Sequence, residues 1–136
     1  MNLLEIHRAP FEGQGLRLVK IEGEWQDDTA RKFDNRKVEA FLRDLQNLKS
    51  YMVLDKLDET QSVELTQIMK SPAWRLRLGQ GDLPETYFAS APLDGLTNLK
   101  LDRNNSFLFY KEGTSQPLVL GPDQMSVVNK KEKDFR

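Results

Sequence analysis

The clearest pattern of apolar and polar positions in this chain runs from Phe33 to Leu48. Its apolar residues recur every three or four positions, the spacing that puts side chains on one stripe of an α-helix. These residues are Val38, Phe41, Leu42, Leu45 and Leu48. Asp34 can accept hydrogen bonds from the free amides of the first turn, and Phe33 before it can pack on Val38. The pattern therefore predicts the main helix of the protein over residues 35–49.

The segments around this helix carry weaker patterns. Residues 15–21 (GLRLVKI) are rich in aliphatic side chains and predict a strand, followed by a turn and a second short strand at Trp25. Residues 51–54 (YMVL) are typical of a short buried segment. Residues 58–69 predict a second helix, which ends before Pro72 because a proline disfavours helical geometry in the residue before it.

The second half of the chain has the pattern of an antiparallel meander. Apolar and basic side chains alternate strictly over Trp74, Arg75, Leu76, Arg77 and Leu78. Further strands are predicted at 85–89, 96–101, 106–111 and 117–120, with Gly-rich or Asn-rich turns between several of them. Because helices and strands are segregated along the chain, the sequence predicts an α+β fold. In it, a mainly antiparallel sheet packs against one principal amphipathic helix and a second helix.

Length and composition favour one globular domain. The chain has 136 residues, of which 38% are hydrophobic and 30% charged, enough to bury a core without disulfides or metals. We expect this domain to cover residues 1–128. The last eight residues, 129–136 (NKKEKDFR), are almost wholly charged and predict a disordered tail.

Charge and residue usage exclude several classes of function. The formal net charge of −1 gives no general attraction to nucleic acid or to an anionic membrane. The absence of cysteine removes disulfides, thiolate metal sites and cysteine nucleophiles. Apolar runs are too short for a transmembrane helix, and the start MNLLEIHRAPFEG lacks the apolar core of a signal peptide. We therefore expect no membrane insertion by this segment, and either a cytoplasmic protein or one whose leader is missing here.

Two candidate sites involve titratable side chains. His7 is the only histidine, so an imidazole pair for metal binding is impossible, and its position suggests an exposed N-terminal arm. The acidic residues near the second predicted helix could hold calcium: Asp55, Asp58, Glu59 and Glu64. They lack the ligand spacing and central glycine of a calcium loop, which favours a solvated helix start. We expect no metal, no cofactor and no catalytic residue.

Three other patterns have a plainer structural explanation. Residues 79–81 (GQG) outline a phosphate loop, but they follow an alternating strand and no Gly-Lys-Ser/Thr sequence comes after them, so a hairpin turn explains them better. Basic and aromatic residues could share a sheet face that binds single-stranded nucleic acid: Arg75, Arg77, Lys100, Arg103, Lys111, Phe107, Phe109 and Tyr110. An amphipathic sheet with its aromatic side chains in the core is the simpler interpretation. The serines lack a Gly-x-Ser-x-Gly elbow: Ser50, Ser62, Ser71, Ser90 and Ser106.

One resemblance to a known family covers residues 16–78. The strand and tryptophan of GLRLVKIEGEW, followed by the helix DNRKVEAFLRDLQNL and a later aliphatic hairpin, resemble an uncharacterised bacterial envelope domain family. Its members accompany ABC-exporter and gliding-motility operons and are usually tethered by an N-terminal membrane helix. The resemblance implies an accessory or binding module built from strand-strand-helix units, and it implies no catalytic residue.

These observations favour a non-enzymatic accessory or protein-interaction module of the bacterial cell envelope. Its partner would be another protein or a second copy of the chain. We expect the interaction at a sheet edge formed by Pro117, Leu118, Val119 and Leu120, because glycine and proline flank this short strand and an unpaired edge can accept another strand. A small hydrolase or ligand-binding enzyme whose site assembles only in the fold, and a nucleic-acid-binding domain, remain open as alternatives.

Overall fold

The computed structural model describes residues 1–11, 15–80, 82–93, 99, 101 and 105–136. Within these residues the chain forms seven strands: β1 (Leu3–Arg8), β2 (Leu16–Ile21), β3 (Glu24–Gln26), β4 (Trp74–Gln80), β5 (Leu83–Ala89), β6 (Phe107–Lys111) and β7 (Leu118–Leu120). It also forms α1 (Asn35–Gln46), α2 (Glu59–Met69), α3 (Pro122–Val128) and a 3-10 helix (Glu132–Phe135). The strands make one antiparallel sheet in the order β3-β2-β1-β4-β5-β6-β7. The predicted α+β class is confirmed.

The principal helix begins as the sequence predicts. The Asp34 carboxylate accepts hydrogen bonds from the backbone N–H groups of Arg36 at 2.9 Å and Lys37 at 3.4 Å. The predicted apolar stripe is buried against the sheet: Val38, Phe41, Leu42 and Leu45. The helix ends at Gln46, before the predicted limit of residue 49, and the chain beyond it runs to the edge of the sheet.

The sheet has two unlike faces. In β4, the side chains of Trp74, Leu76 and Leu78 pack in the cluster under α1, while Arg75 and Arg77 alternate to the opposite face. In the part of the chain that the structure describes, α2 covers one end of that opposite face, where Leu65 packs with residues of β6 and β7 in a second apolar cluster. Neither cluster of described residues includes an outward side chain of β2, β1 or β4. We call the outward surface of these three strands the open face.

The N-terminal segment is a central strand rather than an arm. β1 pairs with β2 on one side and with β4 on the other, so His7 lies in the middle of the sheet. The side chain of His7 is only 19% exposed, which corrects the expectation of an exposed arm. The sequence conceals this strand because Leu3, Leu4, Glu5 and Ile6 are all buried, and a simple alternation of apolar and polar residues is lost.

Residues 129–136, for which the sequence predicts a disordered tail, include a 3-10 helix and a buried aromatic side chain. Phe135 is 1% exposed and lies edge-on to Phe41, with 5.2 Å between ring centroids. The backbone carbonyl of Phe135 accepts a hydrogen bond from Asp34 N–H at 2.8 Å. One aromatic anchor fixes this highly charged segment, because burying a phenylalanine offsets much of the entropy lost by ordering a short helix.

One further predicted strand lies largely outside the described residues, and one predicted buried segment is only partly buried. The predicted strand at 96–101 and the turn after it fall largely outside the described residues, and β6 instead pairs with β5 and β7. Residues 51–54, for which the sequence predicts a short buried segment, form an irregular connection with Leu54 buried in the second cluster and Val53 exposed. α3 was not predicted, although Pro122 at its first turn is a common helix-start residue.

Candidate binding face

The predicted interaction edge is the last strand of the sheet, but its polar groups already have partners. In β7, the backbone N–H and C=O groups of Leu118 and Leu120 point toward β6. Those of Val119 therefore point away from the sheet. Val119 N–H donates to Ser50 Oγ at 2.9 Å, and Val119 C=O accepts from Tyr51 N–H at 3.0 Å. Pro117 before the strand is buried. An added strand would have to replace these bonds, so partner binding at 117–120 stays a prediction.

The opposite edge is closed in the same manner. In β3, Trp25 N–H donates to Asn35 Oδ1 at 3.0 Å, and Trp25 C=O accepts from Phe33 N–H at 2.9 Å. Each terminal strand thus receives one side-chain oxygen and one backbone N–H from residues at the start of α1 or beside it. The outward backbone groups of Trp25 and Val119 at the two edges are thus hydrogen-bonded within the chain, so a face of the sheet is more accessible to a partner than either edge.

A row of three charged side chains crosses the open face. The strand register places Glu5 of β1 directly between Arg17 of β2 and Arg77 of β4. Arg17 Nε donates to Glu5 Oε1 at 3.1 Å, and Arg77 Nη1 donates to Glu5 Oε2 at 3.3 Å. We call Arg17, Glu5 and Arg77 the arginine row.

The arginine row is buried at its centre and open at both ends. The Glu5 side chain is 12% exposed, whereas those of Arg17 and Arg77 are 53% and 41% exposed. A guanidinium group has five N–H donors. Among the described residues, Arg17 and Arg77 each make one hydrogen bond, and its acceptor is Glu5. Glu5 therefore orients both arginines and leaves most of their donors facing solvent.

A second basic position adjoins the arginine row. His7 lies two residues after Glu5 on the same face of β1, with its Nε2 at 4.0 Å from Glu5 Oε2. The register places Arg75 beside His7. The Arg75 guanidinium lies 5.0 Å from the centroid of the Phe11 ring, and its Nε has no hydrogen-bond partner among the described residues. Gly15 packs directly on the His7 ring and the Ile6 carbonyl, leaving no room for a side chain there. This end of the face is thus tightly packed and cationic.

The other end of the open face is apolar, with Leu3 only 4% exposed at its centre and Val19, Gly79 and Pro84 half-buried on either side of it. In the register, Val19, Leu3, Gly79 and Pro84 lie side by side across four strands. We call these four residues the apolar row. Ile21, two residues after Val19 in β2, is 51% exposed. The arginine row and the apolar row are two residues apart along β1, which corresponds to roughly 7 Å.

A cleft of about 770 Å³ lies at the end of β1. His7 and Arg17 line one wall, and the connection after β3 and residues 130–132 line others. Three of its charged side chains are paired with one another, since Arg31 bonds to Asp27 at 3.2 Å and also contacts Glu132. A hydrogen bond from the Thr29 hydroxyl lowers the pKa of the Asp27 carboxyl most, and hydrogen bonds from backbone N–H groups lower it further. Burial acts in the opposite direction. The cleft therefore borders both faces of the sheet at this end, because Ile6 and Leu16 on the α1 side also line it.

The other candidate groups are not assembled into sites. Among the described residues, no group of three or more histidine and acidic side chains could hold a metal, and Asp58 caps α2 in a capping box with Gln61. Gly79 lies in β4 and not before a helix. Ser90 and Ser106 are buried and Ser50 bonds to β7. Asp58 thus has the helix-start role that the sequence favoured, whereas Gly79 and Gln80 end β4 and Gly81 falls outside the described residues.

The predicted basic and aromatic face is not assembled as one surface. Arg75 and Arg77 lie on the open face, whereas Phe107 and Phe109 are buried under α1 on the other side of the sheet. Lys111 lies on that other side too, where it bonds to Glu85. Lys100 and Arg103 fall outside the described residues. Sequence reasoning missed the arginine row, because Glu5 and Arg17 were assigned to separate segments and only the register joins them to Arg77.

Comparison with known proteins adds no identity. No protein-family model, curated protein or solved structure matches this chain. The resemblance of residues 16–78 to an envelope domain family therefore stays a hypothesis. Among the described residues, no helix has both the length and the apolar character needed to cross a bilayer.

Proposed function

We propose that this protein is a non-enzymatic binding module that docks another protein on its open face. The observation that carries the proposal is the arginine row, in which a nearly buried carboxylate holds two exposed guanidinium groups on a sheet surface. Arginine is among the residues that contribute most to binding energy at protein interfaces, and its donors here are already oriented.

The distribution of contacts around the sheet supports this location. The face under α1 is filled by the main apolar cluster, and the two edges are bonded to residues at the start of α1 or beside it. The open face combines charged and apolar rows, a composition suited to a protein partner. The bacterial cell envelope is the proposed setting, and the sequence resemblance over residues 16–78 is its support.

A matched pair of photocrosslinking variants tests the docking face. Ile21 on the open face and Val63 on α2 are both β-branched, 51% and 52% exposed, and remote from the apolar clusters. Each is replaced by a photoreactive phenylalanine analogue, and the variants are irradiated in the native cells. We expect a protein adduct of defined mass from position 21 and none from position 63. Adducts from position 63 alone would contradict the proposal.

A further inference from the structure

We infer that the docked segment is an extended acidic stretch of the partner protein. One of its carboxylates would lie between Arg17 and Arg77, and an apolar side chain two residues away would lie on the apolar row. This inference rests on the proposed function and specifies the chemistry of the partner.

The charge of the open face favours a carboxylate. Arg17 of β2 and Arg75 and Arg77 of β4 lie on this face, and Glu5 of β1 is the carboxylate between them. Glu5 uses one donor of Arg17 and one of Arg77. The exposed donors that remain can bind a carboxylate by charge-assisted hydrogen bonds, and the arginines lose little further freedom because Glu5 already holds them.

The spacing of the two rows favours an extended segment. Leu3 of the apolar row and Glu5 of the arginine row are two residues apart on the same strand. Side chains two apart in an extended chain share a face and are separated by the same distance, roughly 7 Å. A segment lying along β1 can therefore place an acidic residue and an apolar residue on the two rows at once.

The same surface is poorly suited to nucleic acid. Glu5 lies at the centre of the arginine row, where it would repel a phosphate backbone. The aromatic residues nearest in the register do not offer free faces, since Phe88 packs against the second apolar cluster and Phe11 stacks on Arg75. Single-strand binding commonly relies on exposed aromatic faces and a continuous cationic groove.

Synthetic peptides on the full-length protein test the inference. One peptide repeats Thr-Glu-Thr-Val, which puts Glu and Val on the same face of an extended chain. A second replaces Glu by Gln, and a third has the same composition with Glu and Val adjacent, hence on opposite faces. Binding is measured by fluorescence anisotropy at low ionic strength. We expect the first peptide to bind roughly tenfold more tightly than either of the others.

Protein variants locate the site. The double variant Arg17→Gln with Arg77→Gln should lower the affinity for the first peptide roughly tenfold or more. Arg43→Gln, at an exposed position of α1, should leave this affinity unchanged. Because loss of both arginines leaves Glu5 unpaired and can unfold the protein, Arg17→Lys with Arg77→Lys is measured in parallel. The lysine pair keeps the charge but not the guanidinium geometry, and we expect an intermediate affinity.

The outcomes separate the two proposals. Equal binding of the Glu and Gln peptides, or binding unaffected in both double variants, would overturn the acidic segment. Tighter binding of an oligothymidylate at the same arginines would overturn it in favour of nucleic acid. If crosslinking at position 21 persists while the Glu peptide fails, the docking face stands and its partner is not acidic. If crosslinking at position 21 also fails, the docking face itself is wrong.

Discussion

Val119 in the last strand of the sheet donates its backbone N–H to the side chain of Ser50, which follows the principal helix. Trp25 in the first strand of the sheet order stands in the same relation to Asn35, at the start of that helix. A helix of this length spans about 18 Å and a sheet of this size roughly 29 Å, so the extended residues after α1 are needed to reach β7. One segment therefore covers the core and closes both sheet edges.

Removing the Ser50 hydroxyl should open the β7 edge. Ser50→Ala leaves Val119 N–H without its acceptor in a half-buried place, and we expect a loss of about 1–2 kcal/mol in the free energy of unfolding. An open edge also favours strand pairing between molecules, so sedimentation should become concentration-dependent. Urea denaturation and sedimentation velocity check both effects. Ser115→Ala, at an exposed loop position, is the control, and identical behaviour of the two variants would refute the role of Ser50.

Truncating Phe135 should destabilise the whole protein and not merely free its C-terminal segment. Phe135→Ala removes a buried ring from the cluster under α1 and should lower the free energy of unfolding by about 3 kcal/mol. Phe41→Ala should lower it by about as much. The edge-on pair should show a coupling of about 1 kcal/mol in a double-mutant cycle. Lys133→Ala in the same 3-10 helix is exposed and serves as the control. An unchanged denaturation midpoint for Phe135→Ala would mean that the segment is not docked.

A methyl group at position 15 should not be tolerated. A Cβ there would overlap the Ile6 carbonyl oxygen and lie 2.8 Å from Cγ of His7. We expect Gly15→Ala to lower the free energy of unfolding by about 1–3 kcal/mol, as other overpacking substitutions do. His7→Ala in the same molecule should restore only part of this loss, because the backbone carbonyl stays in place. Full rescue, or no loss at all, would show that β1 and the start of β2 are less closely packed than described.

The charge of Glu39 should contribute stability that disappears in acid. Hydrogen bonds from Lys20 Nζ and Trp25 Nε1, with burial opposing them, lower the pKa of this carboxyl. A carboxyl whose pKa is lower in the folded state stabilises it above the unfolded pKa of about 4.3, and the effect is lost as pH falls through the folded value. Glu39→Gln should therefore cost about 0.5 kcal/mol at neutral pH, since the side chain is 45% exposed, and less below pH of about 4.

The measurement for Glu39 is the free energy of unfolding as a function of pH. Gln can still accept from Trp25, so Glu39→Gln isolates the charge from the hydrogen bond. A difference between the two proteins that stays constant into strong acid would contradict a lowered pKa.

Tyr87 should ionise only in strong alkali. Burial, and then the hydrogen bond that its hydroxyl donates to Glu85, raise the pKa of Tyr87 to about 12. Because the folded pKa lies above the unfolded value of about 10, this stabilisation is complete below pH of about 10 and is lost as pH rises toward 12. The difference in ultraviolet absorbance between the native protein and Tyr87→Phe gives the titration, with circular dichroism recording the fold. A midpoint near pH 10 in the folded protein would contradict the raised pKa.

The sequence by itself determined the parts of this protein whose causes are local. The stripe from Val38 to Leu45 and the cap at Asp34 lie within one segment, so the helix period and the capping chemistry suffice to predict α1. The same holds for the alternation of Trp74 to Leu78, which fixes the two faces of β4 in advance. A pattern within a strand or helix records which side is buried.

Only the tertiary structure decided what meets what across the sheet. Glu5 is buried because Arg17 and Arg77, 12 and 72 positions away in the chain, converge on it, and that pairing hides β1 from any local pattern. Phe135 likewise becomes a core residue through Phe41 and not through its charged neighbours. Strand register and long-range burial depend on contacts between distant segments, and a single sequence contains no local periodicity that specifies them.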